Sequence, residues 1–410
     1  MLAFVSVLTI GVLIIVTLSP QHRAYLPETR LNQPTALTSA RRRFLQQCGT
    51  AAAVFAAPSW AQSRTLRLGT TVDQTGLEKG IGGDLVKGAT AYFNALNKTG
   101  GINGAKVELV TADDQFKPDL AKANAQAFQA DSSILGILSP LGTRPCAAIV
   151  ETIRDFAVVG PVAGAAAVRK NSPSNVFWVR ATFDAEIEKL IHTAVTLGTT
   201  RIGIVHPKDP LGLSILASFQ KVMAEVKLEP VIIATNPTNT STDVEPAAKA
   251  IAKAQPQVVI MVLSGVAPLF VKALRDAGGT STVYGLSNAA SAVNITAMGE
   301  RARGVGFAII VPSPASAKNT LVRNYQSDMQ ASGWKDFTLF GLEAYVNAKV
   351  MAEGLRRGGA KVTRESLLSG LDSITNFDLG GMRVNYGNGN RVGSTFVDVG
   401  VVGFDGRLLT

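Results

Sequence analysis

The chain has 410 residues, of which 46% are hydrophobic, 17% charged and 6% aromatic, and its formal net charge is +10. The length exceeds what one hydrophobic core usually supports, and the apolar fraction excludes a disordered chain. With only two cysteines and strongly apolar stretches confined to the N-terminus, a disulfide scaffold and a polytopic membrane protein are also excluded. The low aromatic and high Ala, Val and Gly content favours alternating β and α units on parallel sheets.

The first 61 residues predict export. A segment over 41–45 has the twin-arginine pattern, in which consecutive arginines precede Phe44-Leu45. A mildly apolar run over 49–57 then leads to Ser59-Trp60-Ala61, so cleavage at this small-x-small site leaves Gln62 as the first residue. We therefore expect a periplasmic protein that follows the twin-arginine route.

Residues 1–39 fit this pattern poorly, and two explanations stay open. Residues 1–18 are almost continuously apolar and long enough to span a bilayer, so the arginines could be a basic linker after a membrane anchor. Alternatively, translation begins downstream of Met1, because a twin-arginine signal normally begins close to its arginines. Cleavage before Gln62 would remove five arginines and one glutamate, lowering the net charge to +6. That mild, dispersed charge argues against nucleic acid as a partner.

Strands and helices alternate regularly after the predicted signal. In the first half we predict strands over 65–71, 106–111, 134–138, 157–161 and 176–180, and helices over 82–97, 118–130 and 145–154. In the second half we predict helices over 185–197, 211–226, 244–254 and 268–277, and strands over 201–206, 230–234, 257–263 and 282–285. In the tail we predict strands over 305–311, 382–386 and 395–402, and helices over 319–329 and 341–356. This pattern indicates an α/β fold with two doubly wound parallel-sheet lobes between which the chain recrosses.

The sequence motifs of enzymes are incomplete. Gly80-Ile81-Gly82 opens a helix after a strand, but Leu85 stands where a dinucleotide fingerprint needs Gly or Ala. Beyond the signal the chain has one cysteine and two histidines, so we predict neither a metal site nor a cofactor. The segment 285–289 resembles a nucleophile elbow centred on Ser287, although no motif places a histidine as its base. We predict no catalytic residues, with an enzyme built on Ser287 as the alternative.

Small polar residues instead follow the strands of both halves. The loop from Ser139 to Thr143 precedes Pro145 at a helix start, where free backbone N–H groups and hydroxyls suit a carboxylate. A Gly- and Ala-rich loop over 160–165 allows a ligand to approach the backbone, and the second half contributes 208–212, 263–267 and 287–288. Because open α/β sheets bind ligands at the carboxyl ends of their strands, these loops predict a small-molecule site.

In these segments the chain resembles the periplasmic solute-binding proteins of the leucine/isoleucine/valine-binding family, which serve ABC importers of the branched-chain amino acid type. The resemblance spans 64–410 and rests on the segments 73–76, 88–89, 97–104, 113–118, 136–145, 159–161 and 344–345. It implies two lobes that close on a ligand and are joined by three crossovers, near Thr182, Val311 and Gly387. Lobe 1 would comprise 62–182 and 312–386, and lobe 2 would comprise 183–311 and 387–410.

The resemblance also implies a ligand-binding set. Its carboxylate loop falls on 140–143, its aromatic positions fall on Ile81, Leu211 and Val266 or Ala267, and its acidic anchor for an ammonium falls on Ser287. The candidate ligand-binding residues are Thr75, Ile81, Ser139, Pro140, Leu141, Gly142, Thr143, Ala163, Gly164, Ala165, Leu211, Ser264, Val266, Ser287 and Asn288.

The departures from the family pattern bear on the ligand. A buried ammonium needs a carboxylate partner, yet Ser287 and Asn288 are neutral. Unless Asp73, Asp209 or Glu343 reaches the cleft, we expect a carboxylate with an apolar or aromatic body rather than a branched-chain amino acid. The expected function is a monomeric binding protein that delivers this ligand to an ABC permease. A ligand-sensing receptor or regulatory module of the same fold is the alternative.

Overall fold

Two parallel sheets organise the computed structural model, which describes residues 64–170 and 172–410. The first sheet has the order β2-β1-β3-β4-β5, and all its pairings are parallel. Its strands are β1 (Thr65–Val72), β2 (Lys106–Asp113), β3 (Ile134–Leu138), β4 (Ala157–Val159) and β5 (Val176–Phe177). The predicted signal and its cleavage site lie outside the described residues.

The second sheet has the order β14-β13-β10-β9-β8-β6-β7, and β11 and β12 form a separate two-stranded sheet. The strands that follow β5 are β6 (Ile202–Pro207), β7 (Ile232–Asn236), β8 (Val258–Met261), β9 (Thr282–Gly285), β10 (Gly306–Ile309), β11 (Phe377–Asp378), β12 (Arg383–Val384), β13 (Asp398–Val402) and β14 (Leu408–Leu409). Strands β6 to β10 run parallel, whereas β13 is antiparallel to β10 and β14 is antiparallel to β13.

Helices cover both faces of each sheet. They are α1 (Lys79–Lys98), α2 (Pro118–Ala130), α3 (Thr143–Thr152), α4 (Ala166–Lys170), α5 (Phe183–Thr196), α6 (Pro210–Glu225), α7 (Glu245–Ala254), α8 (Ala267–Asp276), α9 (Ala292–Met298), α10 (Thr320–Ala331), α11 (Leu339–Arg357) and α12 (Arg364–Asp372). Separate clusters of buried apolar side chains lie on the two faces of each sheet, as a doubly wound architecture requires. Among the described residues, no helix combines the length and apolarity needed to cross a membrane.

The chain passes three times between the sheets. It leaves the first sheet after β5 and packs α5 in the second lobe, returns after β10 so that α10 and α11 pack on α1, and leaves again after β12 to form β13. The predicted α/β class, with two lobes and three crossovers, is therefore confirmed. The predicted elements missed α12, whose capping box pairs Thr363 with Ser366 rather than with the usual glutamate. They also gave no sign that the last strands are antiparallel.

Candidate functional site

A cavity of about 410 Å³ lies where the carboxyl ends of the two sets of strands face each other. Its wall includes Glu78 and Phe116 from the connections that follow β1 and β2, and Thr238–Thr240 after β7 in the other lobe. Both lobes thus contribute loops that follow parallel strands, which is where α/β sheets bind ligands. Nine of the predicted ligand-binding residues line it, namely Ile81, Leu141, Gly142, Thr143, Ala163, Ala165, Leu211, Ser264 and Asn288.

The six other candidates lie outside the wall, namely Thr75, Ser139, Pro140, Gly164, Val266 and Ser287. Two of them are engaged by polar side chains of their own lobe. The Thr75 hydroxyl donates to Asp113 at 2.6 Å, and the Ser139 hydroxyl accepts from Asn347 at 2.9 Å. Both hydroxyls therefore stabilise loops whose neighbouring residues line the cavity.

Three of the remaining candidates are backbone or core positions. The Pro140 carbonyl accepts the Val162 N–H at 2.8 Å, which ties two cavity loops together. A Cβ on Gly164 would lie 2.5 Å from the Phe183 ring, so the absence of a side chain allows that phenylalanine to reach the wall. Val266 packs in the core of the second lobe.

The loop before α3 offers donors for an anion. Gly142 is the N-cap with a φ of 94°, and a Cβ there would lie 2.3 Å from the Phe116 ring. No side chain caps α3, and within the described chain no backbone acceptor pairs with the N–H of Thr143 or Arg144. Because Pro145 has no N–H, two free amides and the Thr143 hydroxyl form the end of the helix that favours negative charge.

Aromatic side chains line the cavity from positions that the sequence did not predict. The aromatic positions implied by the family resemblance hold Ile81 and Leu211. Rings come instead from Phe116 in the loop after β2, Phe183 at the start of α5 and Phe340 at the start of α11. These rings, together with several alanines, make most of the wall apolar. The wall can therefore accommodate a branched or aromatic body.

A buried charge network lies where the two lobes meet. Arg180 follows β5, and its guanidinium pairs with Glu186 of α5 at 3.2 Å and with Glu343 of α11 at 3.4 Å. Ser287 completes the network, because its N–H and its hydroxyl each donate to Glu186 at 2.8 Å and its hydroxyl accepts from Arg180. The side chains of all three charged residues are no more than 4% exposed.

The network accounts for a serine, rather than an acidic residue, at position 287. At the place where the family resemblance implies an acidic anchor, two carboxylates are close by, but each already pairs with Arg180. Burial raises the pKa of both Glu186 and Glu343, and the Arg180 charge opposes that rise. No histidine is a hydrogen-bond partner of Ser287 among the residues described, and Nδ1 of the buried His206 lies 2.8 Å from the Pro207 carbonyl.

Arg169 supports the same region from α4. Its guanidinium donates to the carbonyls of Ala163, Arg180 and Ala181 at 2.9–3.0 Å and stacks on Trp178 at 4.7 Å. Burial and the Arg180 charge lower the pKa of Arg169 to about 9. Sequence reasoning missed both arginines. Arg180 fell inside the strand predicted over 176–180, whereas in the structure that strand ends at Phe177 and leaves Arg180 in the connection to α5.

Two carboxylates line the cavity, those of Glu78 and Asp209, and they differ in protonation and in hydrogen bonding. Burial, with a smaller contribution from the Asp73 charge, raises the pKa of Glu78 to about 7. Asp209 caps α6 by accepting the Gly212 N–H at 2.9 Å. Asp73, the other residue expected to reach the cleft, is fully buried and accepts the N–H groups of Gly76 and Glu78 outside the cavity wall.

Replacing Asp209 with alanine is expected to lower the free energy of unfolding by about 1 kcal/mol, because α6 loses its N-cap. Asp209→Ser keeps an acceptor oxygen at the cap and should retain most of the stability. Urea unfolding followed by circular dichroism measures both variants. Equal losses for alanine and serine would show that the cap contributes little.

Comparison with known proteins places the fold in a family. Residues 65–403 match the family model described as periplasmic binding protein. The chain belongs to the periplasmic binding protein family. The Leu/Ile/Val-binding protein BraC3 of Rhizobium johnstonii is 22% identical over 328 residues, which cover 78% of this chain and 87% of that protein. The type I fold and the resemblance to the Leu/Ile/Val-binding family are thereby confirmed.

Solved structures agree with this assignment. A substrate-binding periplasmic protein from Ralstonia solanacearum is 29% identical with a TM-score of 0.76, covering 84% of this chain and 99% of that one. An extracellular ligand-binding receptor from Verminephrobacter eiseniae is 26% identical with a TM-score of 0.77. The match covers 84% of this chain and 100% of that one. This periplasmic binding protein is thus similar to substrate-binding proteins of the Leu/Ile/Val type. That family is extracytoplasmic and binds small molecules rather than catalysing reactions.

Proposed function

We propose that this periplasmic binding protein captures a small carboxylate with an apolar or aromatic body and delivers it to a branched-chain-amino-acid-type ABC importer. The observation that carries the proposal is the cavity itself, in which an uncapped helix start faces largely apolar walls. The free N–H groups of Thr143 and Arg144 bind the carboxylate, and the rings of Phe116, Phe183 and Phe340 surround the body.

The charge network argues against an α-amino acid. An ammonium taken into the closed cavity needs an unengaged carboxylate, because a buried, unpaired charge is very costly. Glu186 and Glu343 are engaged by Arg180, and Asp209 is engaged by the start of α6. Glu78 forms no ion pair with another described residue, but its pKa is raised to about 7, so a large fraction of it stays protonated at neutral pH. A ligand that carries a carboxylate and no ammonium matches these partners better than leucine does.

Delivery follows from the two-lobed architecture. A ligand that contacts both lobes stabilises the closed arrangement, so occupancy shifts the population that a permease recognises. Export by the twin-arginine signal and action as a monomer belong to the same proposal. The experiment below also bears on the sensory alternative, because a receptor would bind the ligand but would need a signalling partner in place of a permease.

Matched pairs of acids and amino acids test the ligand class. The purified protein is screened by thermal shift with 4-methylpentanoate against leucine and with 3-phenylpropanoate against phenylalanine. The members of each pair differ only in the ammonium. A ligand at a hundred times its dissociation constant adds about 2.7 kcal/mol of stability. We expect stabilisation by at least one acid and none by its amino acid.

Two outcomes of the screen would contradict different parts of the proposal. Stabilisation by leucine or phenylalanine, with no response to the matched acid, would keep a binding function and overturn the ligand class. No response to any of the four compounds would contradict the carboxylate proposal. Uptake of the labelled acid by cells with and without the protein then separates transport from sensing.

A further inference from the structure

Four charged side chains line the cavity within the described part of the chain, and they differ in how they are satisfied. Arg180 is held by Glu186 and Glu343, and Asp209 is held by the N–H of Gly212. Glu78 lies between β1 and α1, and its side chain forms no hydrogen bond or ion pair with another described residue. The fourth charged side chain is that of Arg144, at the start of α3.

Arg144 is the second residue of α3, immediately after the loop whose amides are free. Its side chain is exposed, lines the cavity, and forms no hydrogen bond or ion pair with any of the described residues. The neighbouring residues of α3 carry no charge until Glu151, two turns further along the helix. The cation therefore faces the cavity without a protein partner to neutralise it.

We propose that Arg144 forms the ion pair with the ligand carboxylate and makes the cavity selective for anions. This inference rests on the proposed function, since it assigns a charged partner to the carboxylate that the α3 amides bind. A guanidinium donates through several N–H groups in one plane, which suits a carboxylate also bound by backbone amides. Because the side chain is exposed, its contribution is that of a solvent-accessible ion pair, which corresponds to about fivefold in affinity.

The role predicts which ligands lose affinity when Arg144 changes. Arg144→Gln should weaken binding of 4-methylpentanoate or 3-phenylpropanoate about fivefold. The corresponding amides, 4-methylpentanamide and 3-phenylpropanamide, should bind more weakly than the acids to the unaltered protein and should be unaffected by the substitution. Arg144→Lys keeps the charge and should restore most of the affinity for the acid.

Isothermal titration at low and at high salt separates an ionic role from a structural one. In the unaltered protein the affinity for the acid should fall as salt rises, whereas in Arg144→Gln it should change little, because the exposed pair is screened. Lys122→Gln is the matched control. Lys122 is an exposed cation on α2, away from the cavity wall, and its replacement changes the net charge equally. That variant should bind like the unaltered protein.

Each outcome bears on the inference. If the unaltered protein binds an acid and Arg144→Gln binds it equally well, Arg144 has no such role and the proposed function stands. If Lys122→Gln weakens binding as much as Arg144→Gln, the effect is general electrostatics and the specific ion pair is wrong. If no acid binds the unaltered protein, the carboxylate function fails and the inference fails with it.

Discussion

Arg180→Met is expected to lower the free energy of unfolding by about 3–5 kcal/mol, which is the cost of removing one partner from a buried ion pair. Arg180 is 3% exposed and compensates Glu186 and Glu343, both of which lie in the interior. Methionine fills similar space without charge, so the loss arises from the two carboxylates rather than from a cavity. Chemical unfolding followed by fluorescence measures the difference.

The pH dependence of this loss identifies its cause. Uncompensated buried carboxylates take up protons more readily, so the deficit of Arg180→Met should be larger at pH 8 than at pH 5. A triple variant that adds Glu186→Gln and Glu343→Gln should recover about half of the lost stability or more, since the charges that need Arg180 are gone. Lys122→Gln removes an exposed cation and should leave stability unchanged. A deficit that is independent of pH would show that packing, not charge, dominates.

The same network marks where prediction from sequence stops. The strands and helices up to β10 follow hydrophobic alternation and turn residues. These local signals were sufficient to predict the α/β class and the segments that contain eight of the nine predicted wall residues, all but Ile81. Arg180, Glu186 and Glu343 are separated by up to 163 positions in the chain, and only the crossovers bring them together. Their pairing is a tertiary property that no local pattern encodes.

The aromatic lining of the cavity was likewise not predicted from the sequence. Transferring family positions one by one placed Ile81 and Leu211 in the wall, but no position-by-position transfer could introduce Phe116. That ring reaches the cavity because Phe116 has a φ of 58° and packs over Gly142, which has no side chain to obstruct it. Backbone conformations of this kind depend on the neighbouring loop as much as on the residue itself.

The second large effect is a pH dependence of ligand affinity that originates at Glu78. Its pKa of about 7 lies above the ordinary value of 4.5, chiefly because the side chain is partly buried and to a lesser extent because of the Asp73 charge. Glu78 therefore keeps its proton below pH 7 and loses it as the pH rises through 7. The ionised form repels a bound carboxylate, whose own pKa lies well below this range. If binding requires protonated Glu78, the dissociation constant of 3-phenylpropanoate rises about tenfold between pH 6 and pH 8.

Glu78→Gln tests this sign directly, because glutamine keeps the shape and cannot ionise. The side chain of Glu78 does not cap α1, so the substitution should leave the helix start intact. In this variant the dissociation constant should be the same at pH 6 and pH 8 and close to the value of the unaltered protein at pH 6. In the absence of ligand, the unaltered protein should lose stability relative to the variant as the pH rises from about 4.5 to 7, since the folded state then holds the extra proton. An affinity for 3-phenylpropanoate that is constant or rises with pH in the unaltered protein would contradict repulsion of the bound carboxylate by ionised Glu78.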